Sequence, residues 1–234
     1  MPLTVNEIIT ACRDRLDEAT AAQWTDTQLK RWLNEALRDA TRKTKHLSDT
    51  TTFNTTAGVA EYTVASNVIE IEQCYYAPGD GRQIPLIARS FEGMNNVWGQ
   101  YQNQQSGDPY LWTTWGVPPT LKVRLFPVPS ASAKVVTLYV KRLPATITED
   151  ASINNTAVDF PDAWCDILKD YVEAMALRKD RDPRWQEAWQ VYAQNVDQLL
   201  TNSDYTNTPG EMIADPLVRG GMVPRWIADS GYGW

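Results

Sequence analysis

Residues 24–45 read WTDTQLKRWLNEALRDATRKTK, and the fold turns on this stretch. Leu29, Trp32, Leu33, Ala36, Leu37 and Ala40 recur at i, i+3, i+4, i+7, i+8 and i+11, which is one face of an α-helix. Thr25 and Gln28 have capping-box spacing, each able to satisfy a backbone N–H that the first turn leaves without a partner. Trp24 and Leu29 then stand where a hydrophobic staple sets the angle of chain entry. Arg38, Arg42, Lys43 and Lys45 gather at the far end, as the helix dipole favours. Burying Trp32, Leu33 and Leu37 would contribute roughly 1.5–3 kcal/mol each. Lys30, Arg31, Asn34, Glu35 and Arg38 are expected to form a charged outer face.

Upstream, Thr4–Leu16 repeats this logic. Thr4 with Glu7 gives a second capping box and Leu3 with Ile8 a second staple, while Val5, Ile8, Ile9, Cys12 and Leu16 make the apolar stripe. The short link Asp17–Gln23 predicts a helical hairpin. Downstream of His46 the texture turns β-like. Thr-rich 48–64 leads into Val68–Tyr76, where Ile69, Ile71 and Tyr75 are expected on one side and Glu70 and Glu72 on the other. Pro78–Gly81 signals a turn, and Ile84–Ala88 reads as one short strand. Leu121, Val123 and Leu125 alternate with Lys122 and Arg124, and Pro127 and Pro129 end that strand. Val136, Leu138 and Val140 alternate with Thr137, Tyr139 and Lys141. Together these predict one antiparallel sheet with a wet face. Residues 89–119 lack a period and interleave Trp98, Tyr101, Tyr110, Trp112 and Trp115 with Asn, Gln and Gly. A loop of that length in a compact domain is usually functional or part of an assembly contact.

The chain then returns to helical spacing. Pro161 suits a first helical position, and Trp164, Ile167, Leu168, Tyr171, Val172 and Met175 form a stripe. Asp182–Pro183 opens another helix carrying Trp185, Ala188, Trp189, Tyr192, Val196, Leu199 and Leu200. The predicted class is α+β: a four-helix bundle with an inserted antiparallel β-domain and an extended C-terminal arm. The divisions are 1–47, the first helix pair; 48–150, the β-domain; 151–200, the second helix pair; and 201–234, the arm. The arm has three prolines and no period, yet it keeps Met212, Ile213, Leu217, Val218, Trp226, Tyr232 and Trp234. It is expected to order against another protein surface.

With 43% hydrophobic and 22% charged residues, the chain is globular rather than disordered. No run approaches a membrane span of about 18 apolar residues, and the start lacks a secretory pattern. Cys12, Cys74 and Cys165 are too scattered for metal binding and read as buried thiols in a reducing compartment. The net charge of −7 argues against a surface that grips DNA as a whole. Ten Trp and ten Tyr against one His point to interfaces rather than to chemistry.

No catalytic constellation emerges. His46 follows a basic helix end, where an imidazolium would suit the dipole, and has no second ligand or nucleophile at a meaningful spacing. Glu70 and Glu72 read as strand solvation rather than a glycosidase pair. Thr148–Asp150 and Asp159–Asp162 show no calcium-loop pattern, and there is no phosphate-cradling Gly loop. Neither a cofactor nor a metal is expected. The basic cluster Arg38–Lys45 could touch phosphate, although helix-end charge accounts for it.

The order of parts resembles the head-to-tail adaptor (connector) proteins of tailed bacteriophages. TVNEIITACRDRLDEA (4–19) precedes the pattern carried by Trp24, Asp26, Leu29, Trp32, Asn34 and Ala36. SGDPYLW (106–112), LKVRLFPVPS (121–130), VVTLYVKRLP (135–144) and FPDAWCDILKDYVEAMAL (160–177) follow in the family's sequence. The resemblance covers about 1–200. It implies a non-enzymatic virion protein of the neck, made in the host cytoplasm, with no membrane contact. Such proteins form a ring, commonly twelvefold, beneath the portal protein. The ring extends the DNA channel, which DNA passes without sequence-specific binding, and receives tail or nozzle proteins. Interface residues are expected at Trp98, Tyr101 and Trp112 in the loop and at Arg225, Trp226, Tyr232 and Trp234 in the arm. A different reading is an aromatic-lined carbohydrate-binding module of a phage tail appendage. A hydrolase with an unrecognised acid pair is a third.

Overall fold

A computed structural model describes residues 3–18, 23–93, 106–150 and 155–207. The protein is α+β. Helices α1 (Val5–Arg15), α2 (Asp26–Thr44), α3 (Asp166–Lys179) and α4 (Trp185–Asn207) flank ten strands in the middle of the chain. No described helix is long and apolar enough to cross a membrane.

Local sequence starts the first two helices as their spacing requires. Thr4 Oγ1 accepts from the Glu7 N–H and Glu7 Oε2 accepts from the Thr4 N–H, at 3.3 and 2.7 Å. Thr25 and Gln28 exchange the same two bonds, both at 3.3 Å. All six apolar positions of the α2 stripe are buried, together with Trp24. They share one core with the inner faces of α1, α3 and α4, and with Ile147, Val158 and Phe160 from the segment that returns to the helices. That segment also pairs with the chain start, where Val5 N–H donates to Thr156 O and Val158 N–H to Leu3 O (3.0 and 2.9 Å).

The outer face of α2 departs from expectation. Lys30 and Asn34 are buried, because residues 146–150 lie along them. Asn34 Nδ2 donates to Ile147 O (2.9 Å) and Asn34 Oδ1 accepts from Ile147 N–H (2.8 Å). Lys30 Nζ donates to Asp150 O (2.8 Å), Arg31 to Glu149 (3.2 Å) and Arg38 to Thr146 (3.1 Å). The side-chain amide satisfies both main-chain polar groups of one residue, so the connector docks as if onto a strand.

The described strands form two four-stranded sheets and a small pair rather than one sheet. β1 (Ser48–Asn54), β10 (Val135–Arg142), β3 (Val68–Ala77) and β4 (Ile84–Pro85) pair antiparallel in that order. The second sheet runs β2 (Glu61–Thr63), β8 (Lys122–Phe126), β7 (Leu111–Trp115), β5 (Ile87–Ala88), with β5 parallel to β7. A small parallel pair joins β6 (Ser106–Gly107) to β9 (Val128–Pro129). Ile84–Ala88 is therefore not one strand: buried Leu86 marks the point where the chain steps from one sheet to the other, a corner that closes a sandwich. A single core lies between the sheets, built from Ile71, Cys74, Tyr76, Trp112, Val123, Leu125, Val136, Leu138 and Val140 among others.

β3 corrects the alternation read from the sequence. Gln73 pairs with Tyr139 and Ile71 with Val140, so Glu72 is an extra residue in a β-bulge. One inserted residue reverses the parity beyond it. Cys74 and Tyr76 face the core, and Tyr75 turns outward against Tyr139, with ring centroids 5.5 Å apart.

Helix α4 continues to Asn207 and takes in seven residues assigned to the arm. Propagation costs little once a helix is formed, and Thr201 Oγ1 returns a bond to Asp197 O (2.9 Å).

Candidate assembly surfaces

Trp98, Tyr101, Arg225, Trp226, Tyr232 and Trp234 lie outside the described residues. Trp112 is described, and it is only 4% exposed inside the sandwich core. Its place in β7, opposite Leu125, aims the indole between the sheets, so the expectation of a surface anchor does not hold there. The aromatic loop instead serves its own protomer at both ends. Phe91, in a helical turn, and Trp115 stack at 4.6 Å, and the Arg124 guanidinium lies against both rings at 4.9 and 5.1 Å while pairing with Glu61. Thr113, Arg124 and Phe126 point away from the sandwich core and are still buried. This part of the second sheet has no wet face. Tyr76 Oη donates to Asp108 (2.8 Å), which gives the Gly-Asp-Pro segment a structural role.

Exposed apolar surface lies elsewhere. Ile87 and Tyr110 are exposed where β5 meets β7, and Trp115 and Val117 at the end of β7 and just beyond it. Among the described tryptophans only Trp115 is exposed, and Phe91 covers part of its ring. On the outer face of the first sheet, Val135 and Tyr139 are exposed beside a row of threonines. At the edge of the same sheet, β1 offers a seven-residue strand bonded, among the described residues, to β10 alone.

A cleft of about 530 Å³ opens at the end of the helical half, between α1, α3 and α4. Asp17, Asp170, Glu173, Asp180, Asp182 and Glu187 line it against Arg15 and Arg184. Internal pairing accounts for much of this charge. Arg15 reaches Asp170 (2.5 Å) and Glu173 (3.6 Å), Asn195 Nδ2 donates to Asp170 (2.7 Å), and Arg184 folds onto Asp182.

The titratable groups singled out in the sequence are paired or buried within the fold. Burial pushes His46 from its ordinary 6.5 down to about 4, so the ring is neutral at pH 7. Desolvation overrides the helix dipole, and the expected imidazolium does not form. The ring meets Thr44 Oγ1 at 2.7 Å and stands edge-on to Phe160 at 4.8 Å. Asp159 takes a bidentate fork from Arg142 (2.5 and 3.1 Å), and that hydrogen bonding holds its carboxyl below the usual range. Glu70 pairs with Lys45 (2.6 Å) and Glu72 with Lys141 (3.3 Å). Burial raises the Cys12 and Cys74 thiols to about 12 and Cys165 to about 11, which keeps all three protonated at neutral pH. No group of three or more His, Cys, Asp or Glu suited to a metal ion occurs among the described residues.

The sequence reading missed the β1 edge and the Asn34 clip. A Thr-rich strand without proline was the available signal for the first. For the second it was an amide on the margin of the α2 stripe. A family model described as SU10 adaptor protein matches residues 3–216. No curated protein matches the chain.

Proposed function

The chain belongs to the SU10 adaptor protein family, a phage adaptor-type family, and from that premise we propose that it is a head-to-tail adaptor in the neck of a tailed-phage virion. The observation that carries this reading is the extent of the match, which spans both helix pairs, the sandwich and the first residues beyond α4. In this reading the helices act as a four-helix bundle, 1–47 with 151–200, and set each protomer's place in a ring. The ring, twelvefold in the form we favour, sits beneath the portal protein, continues the DNA channel and receives tail or nozzle proteins. Residues beyond Asn207 form an arm that docks on a neighbouring copy or on the portal, with Arg225, Trp226, Tyr232 and Trp234 as its anchors, and Trp98 and Tyr101 add contacts from the loop.

Three features support this. A ring needs a heterologous interface, in which one patch meets a different patch on the next copy, and an arm reaching a distant surface supplies one. The charge of −7 suits a wall that DNA slides past. Glu70, Glu72 and Asp159 are held in ion pairs that build the fold, and the three cysteines are buried. The test is the mass of the purified protein alone and mixed with its portal, together with negative-stain images. Ring-shaped particles, or a portal complex of several copies, are expected. A monomer that ignores the portal at every concentration overturns the proposal.

A further inference from the structure

We infer that the bare edge of β1 is completed, in the assembled state, by an extended piece of residues 208–234 from a neighbouring copy. This rests on the arm-docking reading and assigns the arm its receptor. Strand edges expose unpaired backbone groups, and proteins usually guard them with short length, proline, lysine or a bulge. The other sheet ends follow that rule: β2 has three residues, β4 two including Pro85, and β5 two. β1 has seven residues, SDTTTFN, with a regular register throughout and Asp49 as its one charge.

The ladder fixes which groups face out. Thr55 N–H donates to Lys134 O and Arg142 N–H to Leu47 O, so odd-numbered residues of β1 bond β10. Antiparallel pairing alternates, so the main-chain groups of Ser48, Thr50, Thr52 and Asn54 aim away from the sheet. Of these, the Thr50 N–H is taken by Asp49 Oδ1 (2.7 Å). The side chains at this edge are ready for cover. Phe53 of β1 and Tyr62 of β2 stack at 4.5 Å and stay half-buried across the open side of the sandwich. A hollow of about 200 Å³ lined by Asp49, Thr51, Ala65, Asn67 and Val140 opens further along the same strand. A strand added here would bury the ring pair and could place an apolar side chain in the hollow.

The position and length of the arm point to it as the occupant. Lys179 at the end of α3 lies over Trp24 and Trp32 at the start of α2 (5.2 and 5.9 Å), Trp185 at the start of α4 packs on Arg178, and Tyr192 Oη donates to Asp39 further along α2 (2.5 Å), so α4 runs in the direction of α2. α2 ends at Thr44, four residues before β1 begins, while α4 continues from Tyr192 to Asn207, roughly 22 Å further. The chain beyond Asn207 therefore departs on the β side of the protomer. Extended, residues 208–234 span up to roughly 90 Å, enough to reach the next copy.

The test uses amide exchange and native mass measurement on the full chain across a concentration series. As copies associate, the Ser48, Thr52 and Asn54 amides are expected to slow about tenfold or more. Thr52→Pro removes an outward N–H and spares the β10 ladder, with Asn54→Pro as a second such variant. Each is expected to fold, by circular dichroism, and to lose both association and protection. Thr52→Val should keep both. A chain ending at Asn207 retains both apolar cores, whose last member is Leu199, and should behave like the proline variants. Normal association of both folded proline variants overturns the edge assignment. So does protection already present in the dilute monomer, which would mean the edge is covered from within its own chain. If the shortened chain fails to associate while the proline variants associate normally, the edge assignment falls and the arm-docking reading stands. If the shortened chain associates normally, both fall.

Discussion

His46 shows how one side chain can be misread when its depth is unknown. The basic helix end before it favours a cation, yet burial against Phe160 lowers its pKa to about 4. The unfolded chain, with a pKa near 6.5, then binds more protons than the native state between pH 6.5 and 4. Stability therefore falls on acidification through that window, and the loss is complete below about pH 4. The size, allowing for the ring's partial exposure, is about 1–2 kcal/mol. Thermal melts at pH 7, 5.5 and 4.5 should show a declining Tm, and His46→Phe should flatten the decline. An unchanged wild-type Tm across that range would mean that the ring is open to water. Trp112 carries the same lesson: a strand was legible around Tyr110–Trp115, but only the facing sheet makes this tryptophan a core residue.

Elements with a local period were legible, and elements defined by their neighbours were not. The stripes of α1 and α2 and both capping boxes follow from residues within a few turns of one another, so the sequence carries them complete. The bulge at Glu72, the step between sheets at Leu86 and the parallel β5–β7 pair depend on strands far away in the chain. The burial of Lys30 and Asn34 likewise depends on a connector more than a hundred residues downstream. Replacing Asn34 by Ala would strip Ile147 of both main-chain partners at a buried site, and an unsatisfied buried group costs about 1–3 kcal/mol. Asn34→Ala should lower stability by about 2–3 kcal/mol, read as a shift in the urea midpoint at constant slope. A change within about 0.5 kcal/mol would show that the connector is not held by this clip.

At the scale of the whole molecule, the described residues form two apolar cores and a polar seam. Arg142 at the end of β10 grips Asp159, which also accepts from Ala145 N–H (3.0 Å), and Lys45 reaches Glu70 across the same junction. The seam couples halves that each bury their own side chains. Asp159→Ala leaves the Arg142 guanidinium without its bidentate partner. Calorimetry of that variant should show a broadened or divided transition where the parent gives one, and an unchanged single peak would place the coupling elsewhere. The candidate interfaces were the least legible part at this scale. Assembly surfaces are not needed for folding, so periodicity does not mark them, and what the sequence did flag was an aromatic surplus that the protomer partly consumes at Trp112 and Trp115.

The way into the sandwich and the way out of it stand one hydrogen bond apart, Arg142 N–H to Leu47 O at 3.0 Å. A module whose two ends meet can be cut out and the gap closed with a short linker, leaving the threading of the surrounding helices unchanged. A descendant could thus trade this β-module for another while the helical half keeps its own core and fold.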